Sequence, residues 1–257
     1  DAMENPYGLP LELRAAWADR LQQMSVNRYP DPAATDLKCA LREKLDLPAE
    51  SGLILGNGSD EIIQMLAIAM GGEGRAMMSL EPAFVMYRLI AHMNGLRYIS
   101  VNLGQDDFSI DLPATLKVIE AQQPAVVFVA NPNNPTGNIH GLDVLRKLAE
   151  AAPGLLVVDE AYEPFTDITA LPLLAEYDHV MVMRTVSKMG LAGLRLGYLL
   201  GSNIWIDQLE KVRLPYNINI LTQQATIFAL EHLEVFQEQA MQIRADRQKM
   251  FAALQAM

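Results

Sequence analysis

The chain has a single cysteine, Cys39, among 257 residues, which excludes any internal disulfide framework. One thiol fits a reducing cytoplasm. Its place in a predicted helix reads as a small buried hydrophobe rather than a nucleophile. Histidine is sparse too: His92, His140, His179 and His232 are scattered without metal-ligand spacing, so no metal site is expected. No apolar run has the length to cross a bilayer, and no secretory pattern of basic and apolar regions is visible. Positive charge is in deficit, with 20 Lys and Arg against 31 Asp and Glu. The net charge of -11 argues against nucleic acid as a partner. Internal repeats and low-complexity tracts are absent as well.

What is present is apolar material in quantity. At 51% hydrophobic the chain can bury a large core, and it is long for one ordinary domain. Helical and strand patterns alternate along it. Helices are predicted over Leu11 to Met24, Ala34 to Leu45, Ser59 to about Met70, Phe84 to Met93, Pro113 to Ala121 and Leu142 to Ala151. A last long one runs from Glu231 to Met257 without a stop signal. Between them lie short Val/Leu/Phe runs at 53–55, 76–79, 97–101, 125–130, 155–159, 179–184 and 196–200. Continuous rather than alternating apolar strands are covered on both faces, which predicts a three-layer α/β/α fold with a mostly parallel central sheet.

Ligands of such sheets bind beyond the carboxyl ends of the strands, and the polar clusters fall there. Gly56-Asn57-Gly58-Ser59-Asp60-Glu61 opens a helix after the first strand. It reads either as a plain Ser/Asp N-cap, slightly favoured, or as an anion site on free helix amides. Asn131-Pro132-Asn133-Asn134-Pro135-Thr136-Gly137 is a rigid turn able to aim an amide. Asp159 ends an apolar strand, so it needs a cationic partner, either a structural salt bridge or a protonated ring nitrogen. Lys188 follows another strand within Thr185-Val186-Ser187-Lys188-Met189-Gly190 and precedes Arg195. It reads evenly as a surface lysine in a Gly-rich loop or as a Schiff-base lysine beside a phosphate held by Thr185, Ser187 and Arg195.

Taken in order, Asn134-Pro135-Thr136-Gly137, Asp159-Glu160-Ala161-Tyr162, Ser187-Lys188 and Arg195 resemble the signature of fold-type I, class-II-type pyridoxal-phosphate aminotransferases. Glu4-Asn5-Pro6-Tyr7, Arg28-Tyr29-Pro30-Asp31-Pro32, the Gly56 to Glu61 run and Glu81-Pro82-Ala83-Phe84-Val85-Met86-Tyr87 narrow the resemblance to histidinol-phosphate aminotransferases. The match runs through nearly the whole chain.

The resemblance implies pyridoxal 5'-phosphate as cofactor and a ping-pong transfer of an amino group between an amine donor and a keto acceptor. The expected reaction joins L-histidinol phosphate and 2-oxoglutarate to imidazole acetol phosphate and glutamate. Lys188 would hold the cofactor and act as the general base, and Asp159 would pair with the ring N–H. Asn134 and Tyr162 would bond the ring's phenolic oxygen, and Tyr87 would stack on the ring. The phosphate would take the amides of Gly58, Ser59 and Asp60, the hydroxyls of Thr185 and Ser187, and Arg195. Tyr29 would reach the cofactor of a second copy in a homodimer, while Asn5 and Tyr7 would border the substrate. The implied layout is an N-terminal arm over 1–30, a large cofactor domain over 31–225, and a helix over 226–257 leading to a small domain this chain is expected to lack. Threonine-phosphate decarboxylase, an aromatic or broad-range aminotransferase, an inactive cofactor-binding fragment and a plain α/β domain stay open as alternatives.

Overall fold

The apolar runs become seven strands of one sheet: β1 (Gly52–Asn57), β2 (Ala76–Glu81), β3 (Arg97–Asn102), β4 (Val126–Ala130), β5 (Leu155–Asp159), β6 (Val180–Thr185) and β7 (Leu196–Gly201). A computed structural model of the chain describes residues 3–256. The strand order is β1-β7-β6-β5-β4-β2-β3. Only β7 runs against its neighbours, antiparallel to both β1 and β6, and the remaining pairs are parallel. The mostly parallel sheet is as the sequence pattern predicts.

The helices are α1 (Leu11–Gln22), α2 (Thr35–Lys44), α3 (Gly58–Met70), α4 (Met86–Met93), α5 (Leu112–Gln122), α6 (Leu142–Ala151), α7 (Asn203–Glu210), α8 (Ile220–Glu231) and α9 (Leu233–Gln255). Strand side chains alternate between faces, and both faces are covered. Phe128, Val157, Met181 and Met183 pack with Ile62, Ile63 and Leu66 of α3 and with Tyr87 and Ile90 of α4. Val127, Val129, Val158 and Val182 pack on the other side with Ile119 of α5 and Leu145 and Leu148 of α6. A third cluster joins Leu53 and Leu55 of β1, and Tyr198 and Leu200 of β7, to Leu37 and Leu41 of α2 and to α8.

Three points differ from the expectations. The long C-terminal helix expected from Glu231 is α9, which starts two residues later at Leu233, after a break at His232 where φ is -121° and ψ is 38°. Only the helical span expected over 226–257 is divided there, between α8 and α9. Its expected last residue, Met257, lies outside the described residues. Both α7 and most of α8 went unpredicted. In α8 the buried positions are Thr222, Gln223, Ala225, Thr226, Phe228, Ala229 and Leu230, so burial extends around the helix and leaves no single apolar stripe to read. Cys39 is exposed, not buried. Leu37 and Leu41, four residues apart, face the core from α2 and leave position 39 on the far side.

Gly154 shows how closely β4 and β5 approach. A Cβ built there lies 2.1 Å from the carbonyl oxygen of Ala125, the acceptor for the Leu155 N–H at 3.0 Å. Gly154→Ala must push backbone against backbone and should cost about 1–3 kcal/mol in urea unfolding. Gly141→Ala, where a Cβ meets nothing within 4 Å, should change stability by less than about 0.5 kcal/mol. Equal effects would contradict this account of the packing.

Candidate active site

Because β4, β5 and β6 are parallel neighbours, their carboxyl ends lie side by side and the loops leaving them share one space. That space is a cavity of about 390 Å³. Asn134 enters from the turn after β4, Asp159 and Tyr162 from the end of β5, and Thr185, Ser187 and Lys188 from the end of β6. Ser59 and Asp60 come from the first turn of α3, Arg195 from the residue before β7, and Met3 and Glu4 from the N-terminal arm.

Asp159 is 4% exposed and forms no salt bridge among the described residues. Its Oδ2 accepts from the Tyr87 hydroxyl at 2.5 Å and its Oδ1 from the Ala161 N–H at 2.9 Å. Burial pushes the carboxyl up to about 6, the two hydrogen bonds pull it down, and the nearby Glu160 and Asp60 push it up again. The structural salt bridge considered for Asp159 is therefore not made. Asn134 and Tyr162 beside it form no side-chain hydrogen bond within the described residues, so an amide and a phenol also stand free to meet a ligand.

At the Arg195 end of the cavity, α3 presents its N-terminus. No side chain caps this helix, so the N-cap reading of the Gly58 run fails and its first-turn amides remain open. Gly58 sits at φ +77°, and a Cβ there would lie 2.6 Å from Arg195 Nη2, so glycine is what lets the guanidinium close on the helix end. Arg195 itself adopts left-handed backbone, φ 50°, and its Nη2 pairs with Asp60 Oδ2 at 3.2 Å. The other oxygen of Asp60 is buried without a partner. The hydroxyls of Thr185 and Ser187 stand 2.8 Å apart. Thr185 also donates to the Leu196 carbonyl at 2.9 Å and accepts the Ser187 N–H at 3.1 Å, which fixes the turn.

Lys188 lies on that turn, a single 3-10 turn over Ser187–Met189. Its Nζ donates to the Met3 carbonyl at 2.8 Å and stands 5.4 Å from the centre of the Tyr162 ring. Partial burial pulls the amine below its ordinary range, helped by Arg195 and opposed by Glu4, Asp159 and Asp60. A lowered amine holds more of the neutral, nucleophilic form at neutral pH.

The structure gathers Ser59, Asp60, Asn134, Asp159, Tyr162, Thr185, Ser187, Lys188 and Arg195 around one cavity. Tyr87 also lines the cavity, but it is fully buried, with its ring stacked on Phe128 at 4.6 Å and its hydroxyl on Asp159. Phe84, partly exposed and edge-on to Tyr87, lines the cavity as well. The sequence reading missed Phe84 because the two rings are three residues apart in one segment and only packing distinguishes them. Other expected residues fall elsewhere. Asn5 ties the arm down by donating to Met189 O at 3.2 Å and to Gln239 Oε1 at 3.0 Å, while Tyr7 is 39% exposed. Neither lines the cavity, and Met3 and Glu4 do. Tyr29 is 81% exposed and stacks on Tyr216 at 4.5 Å, away from this chain's own cavity.

The raised Asp159 carboxyl has a consequence for stability. A buried acid binds its proton more tightly folded than unfolded. Its contribution is therefore full below pH 4 and is lost as pH rises through about 6. Without ligand, Asp159→Asn should gain about 2–3 kcal/mol on the wild type between pH 4 and pH 8 in urea unfolding. An unchanged difference at the two pH values would rule out a strained acid.

Comparison with known proteins follows the same lines. A family model described as aminotransferase class I and II matches residues 2–257. Histidinol-phosphate aminotransferase 2 of Nitrosococcus oceani is 56% identical over 99% of this chain and 71% of its own length. Histidinol-phosphate aminotransferase of Chromobacterium violaceum is 52% identical over 100% of this chain and 72% of its own. The structure of histidinol-phosphate aminotransferase from Sinorhizobium meliloti, solved with pyridoxal-5'-phosphate, superposes with a TM-score of 0.85 at 26% identity. That match covers 96% of this chain and 67% of the other. The chain belongs to the class I and II aminotransferase family.

Proposed function

We propose that the chain carries out pyridoxal-phosphate-dependent transamination of L-histidinol phosphate with 2-oxoglutarate, giving imidazole acetol phosphate and glutamate in histidine biosynthesis. The observation that carries this reading is the cavity's polarity. It joins a buried carboxylate lacking a cation to an uncapped helix N-terminus with a guanidinium, and a lysine of lowered basicity shares the same space. Pyridoxal phosphate has a cationic ring nitrogen, a phosphate and an aldehyde, so its chemistry answers each of these three features. Curated relatives at 46–56% identity carry the histidinol-phosphate name, which favours that substrate over the decarboxylase and broad-range alternatives.

When bound, the cofactor supplies an electron sink for the pair left on the substrate carbon. The chain's own residues do the rest. Asp159 pairs with the ring N–H and keeps it protonated, and Tyr87 holds Asp159 in place. Asn134 and Tyr162 bond the phenolic oxygen, and Phe84 covers the ring. The amides of Ser59 and Asp60, the hydroxyl of Ser187, and Arg195 would take the phosphate, while Thr185, whose proton goes to the Leu196 carbonyl, holds the Ser187 turn. Lys188 would be the amine that holds the cofactor through its aldehyde carbon, and would serve as the base that moves the proton between the substrate Cα and that carbon. Met3 and Glu4 close the cavity over it.

The active form is a cytoplasmic homodimer in which Tyr29 of one protomer reaches the phosphate site of the other. Its exposure and its distance from its own cavity support this placement. Residues 1–30 serve as the arm, 31–225 as the cofactor domain, and 226–257 as the helical exit.

Wild type with added pyridoxal phosphate should develop the visible absorption of a lysine-linked cofactor, and L-histidinol phosphate should discharge it. Phosphothreonine should do neither that nor release carbon dioxide. Lys188→Ala should lose the band and reduce amino transfer by about 10²–10⁴-fold or more. Retention of both band and activity in Lys188→Ala would refute the reading.

A further inference from the structure

The strand ends that carry Asp159 and Thr185 carry a second polar pair on the opposite face of the sheet. Along β5 and β6, Val157, Met181 and Met183 belong to the cluster on the Tyr87 side, whereas Val158 and Val182 belong to the other. The next residues in each series are Asp159 and Thr185 on the cavity side, and Glu160 and Arg184 behind it. The Glu160 and Arg184 side chains are 0% and 6% exposed. Arg184 Nε donates to Glu160 Oε2 at 2.9 Å, and its Nη2 lies 2.8 Å from the same oxygen. Thr169 donates to that oxygen at 3.0 Å and accepts from Arg184 Nη2 at 2.9 Å. The Ala170 N–H donates to Glu160 Oε1 at 2.5 Å. Neither charged residue lines the cavity.

A buried ion pair of this kind is a poor source of stability, because desolvation offsets most of its attraction. Its place in the chain points to another use. Glu160 is covalently next to Asp159, and its negative charge bears directly on that carboxylate. We propose that Arg184 is a positioning residue that acts through Glu160: by neutralising it behind the sheet, Arg184 leaves Asp159 as the anion that holds the cofactor's ring nitrogen. The proposal rests on the cofactor reading of the cavity.

The groups facing Asp159 come from every packed element. They are Tyr87 of α4, Asp60 of α3, Tyr162 after β5 and Lys188 after β6, with Glu160 beside it. Glu163 and Tyr198 face Arg184, Glu163 at 3.7 Å. With Arg184 gone, two buried carboxylates on adjacent residues, one on each face of the sheet, are left with no cation at Glu160. Such a pair takes up a proton and titrates as a unit.

Three variants test this: Arg184→Gln, Arg184→Lys and the double variant Glu160→Gln with Arg184→Gln. Two readouts are used, the pyridoxal phosphate dissociation constant at pH 7 and the Asp159 midpoint from carboxyl ¹³C NMR without cofactor. Arg184→Gln should weaken cofactor binding about tenfold or more and recover toward higher pH. The double variant, which removes both charges, should return to within about threefold of wild type. Arg184→Lys should stay near wild type. A double variant as impaired as Arg184→Gln, or an Arg184→Gln protein that binds like wild type, would overturn the proposal. If Arg184→Gln does not fold, the other two decide by NMR. Their Asp159 midpoints should lie within about half a unit of wild type, and a displacement beyond about one unit in either overturns it. Failure of wild type to bind pyridoxal phosphate would refute the functional reading instead, and the NMR comparison would still judge the pair.

Discussion

A carboxylate taken out of water with no cation to meet it dominates the electrostatics of this molecule. Asp159 occupies that position at the end of a strand buried on both faces, steadied by a phenol and one backbone N–H. Burying a charge in this way is expensive unless something arrives to pair with it. The rest of the site makes sense as the surroundings of that arrival. The sheet supplies the dry wall, β4 and β6 bring polar turns alongside, and the antiparallel β7 brings Arg195 back to the start of α3.

The other end of the cavity obeys the opposite electrostatic rule. An uncapped helix N-terminus, a guanidinium in left-handed backbone and the Ser187 hydroxyl on the turn that Thr185 fixes form a place for an anion. Separation of the two kinds of site within one cavity would orient a ligand that has a cationic ring and a phosphate. Lys188, drawn below its usual basicity by partial burial, would then meet the reactive carbon of the proposed ligand. The arm completes the enclosure, anchored by Asn5 to the lysine turn and to α9.

Much of this was legible in the sequence because the chemistry is punctuated by residues that packing alone would not choose. Two-sided burial gave continuous apolar strands, and each polar cluster followed a strand end, so Asn134, Asp159, Lys188 and Arg195 could be named before their contacts were known. Other features were not legible because they depend on direction within a loop or on neighbours remote in sequence. Phe84 and Tyr87 share one segment and both line the cavity, and only the fold leaves the first partly exposed there and ties the buried second to Asp159. The residues of α8 are buried on several sides, which erases the helical stripe. Glu160 and Arg184 are visible as letters, but their pairing requires the register of β5 on β6.

The central claim is that Asp159 stays ionised in order to hold a protonated ring nitrogen. It is tested most directly by the ¹⁵N chemical shift of pyridoxal phosphate labelled at the ring nitrogen and bound to the chain at pH 8. The account predicts the shift of a protonated pyridine nitrogen in the wild type and of an unprotonated one in Asp159→Ala. An unprotonated nitrogen in the wild type, or the same shift in both proteins, would contradict it.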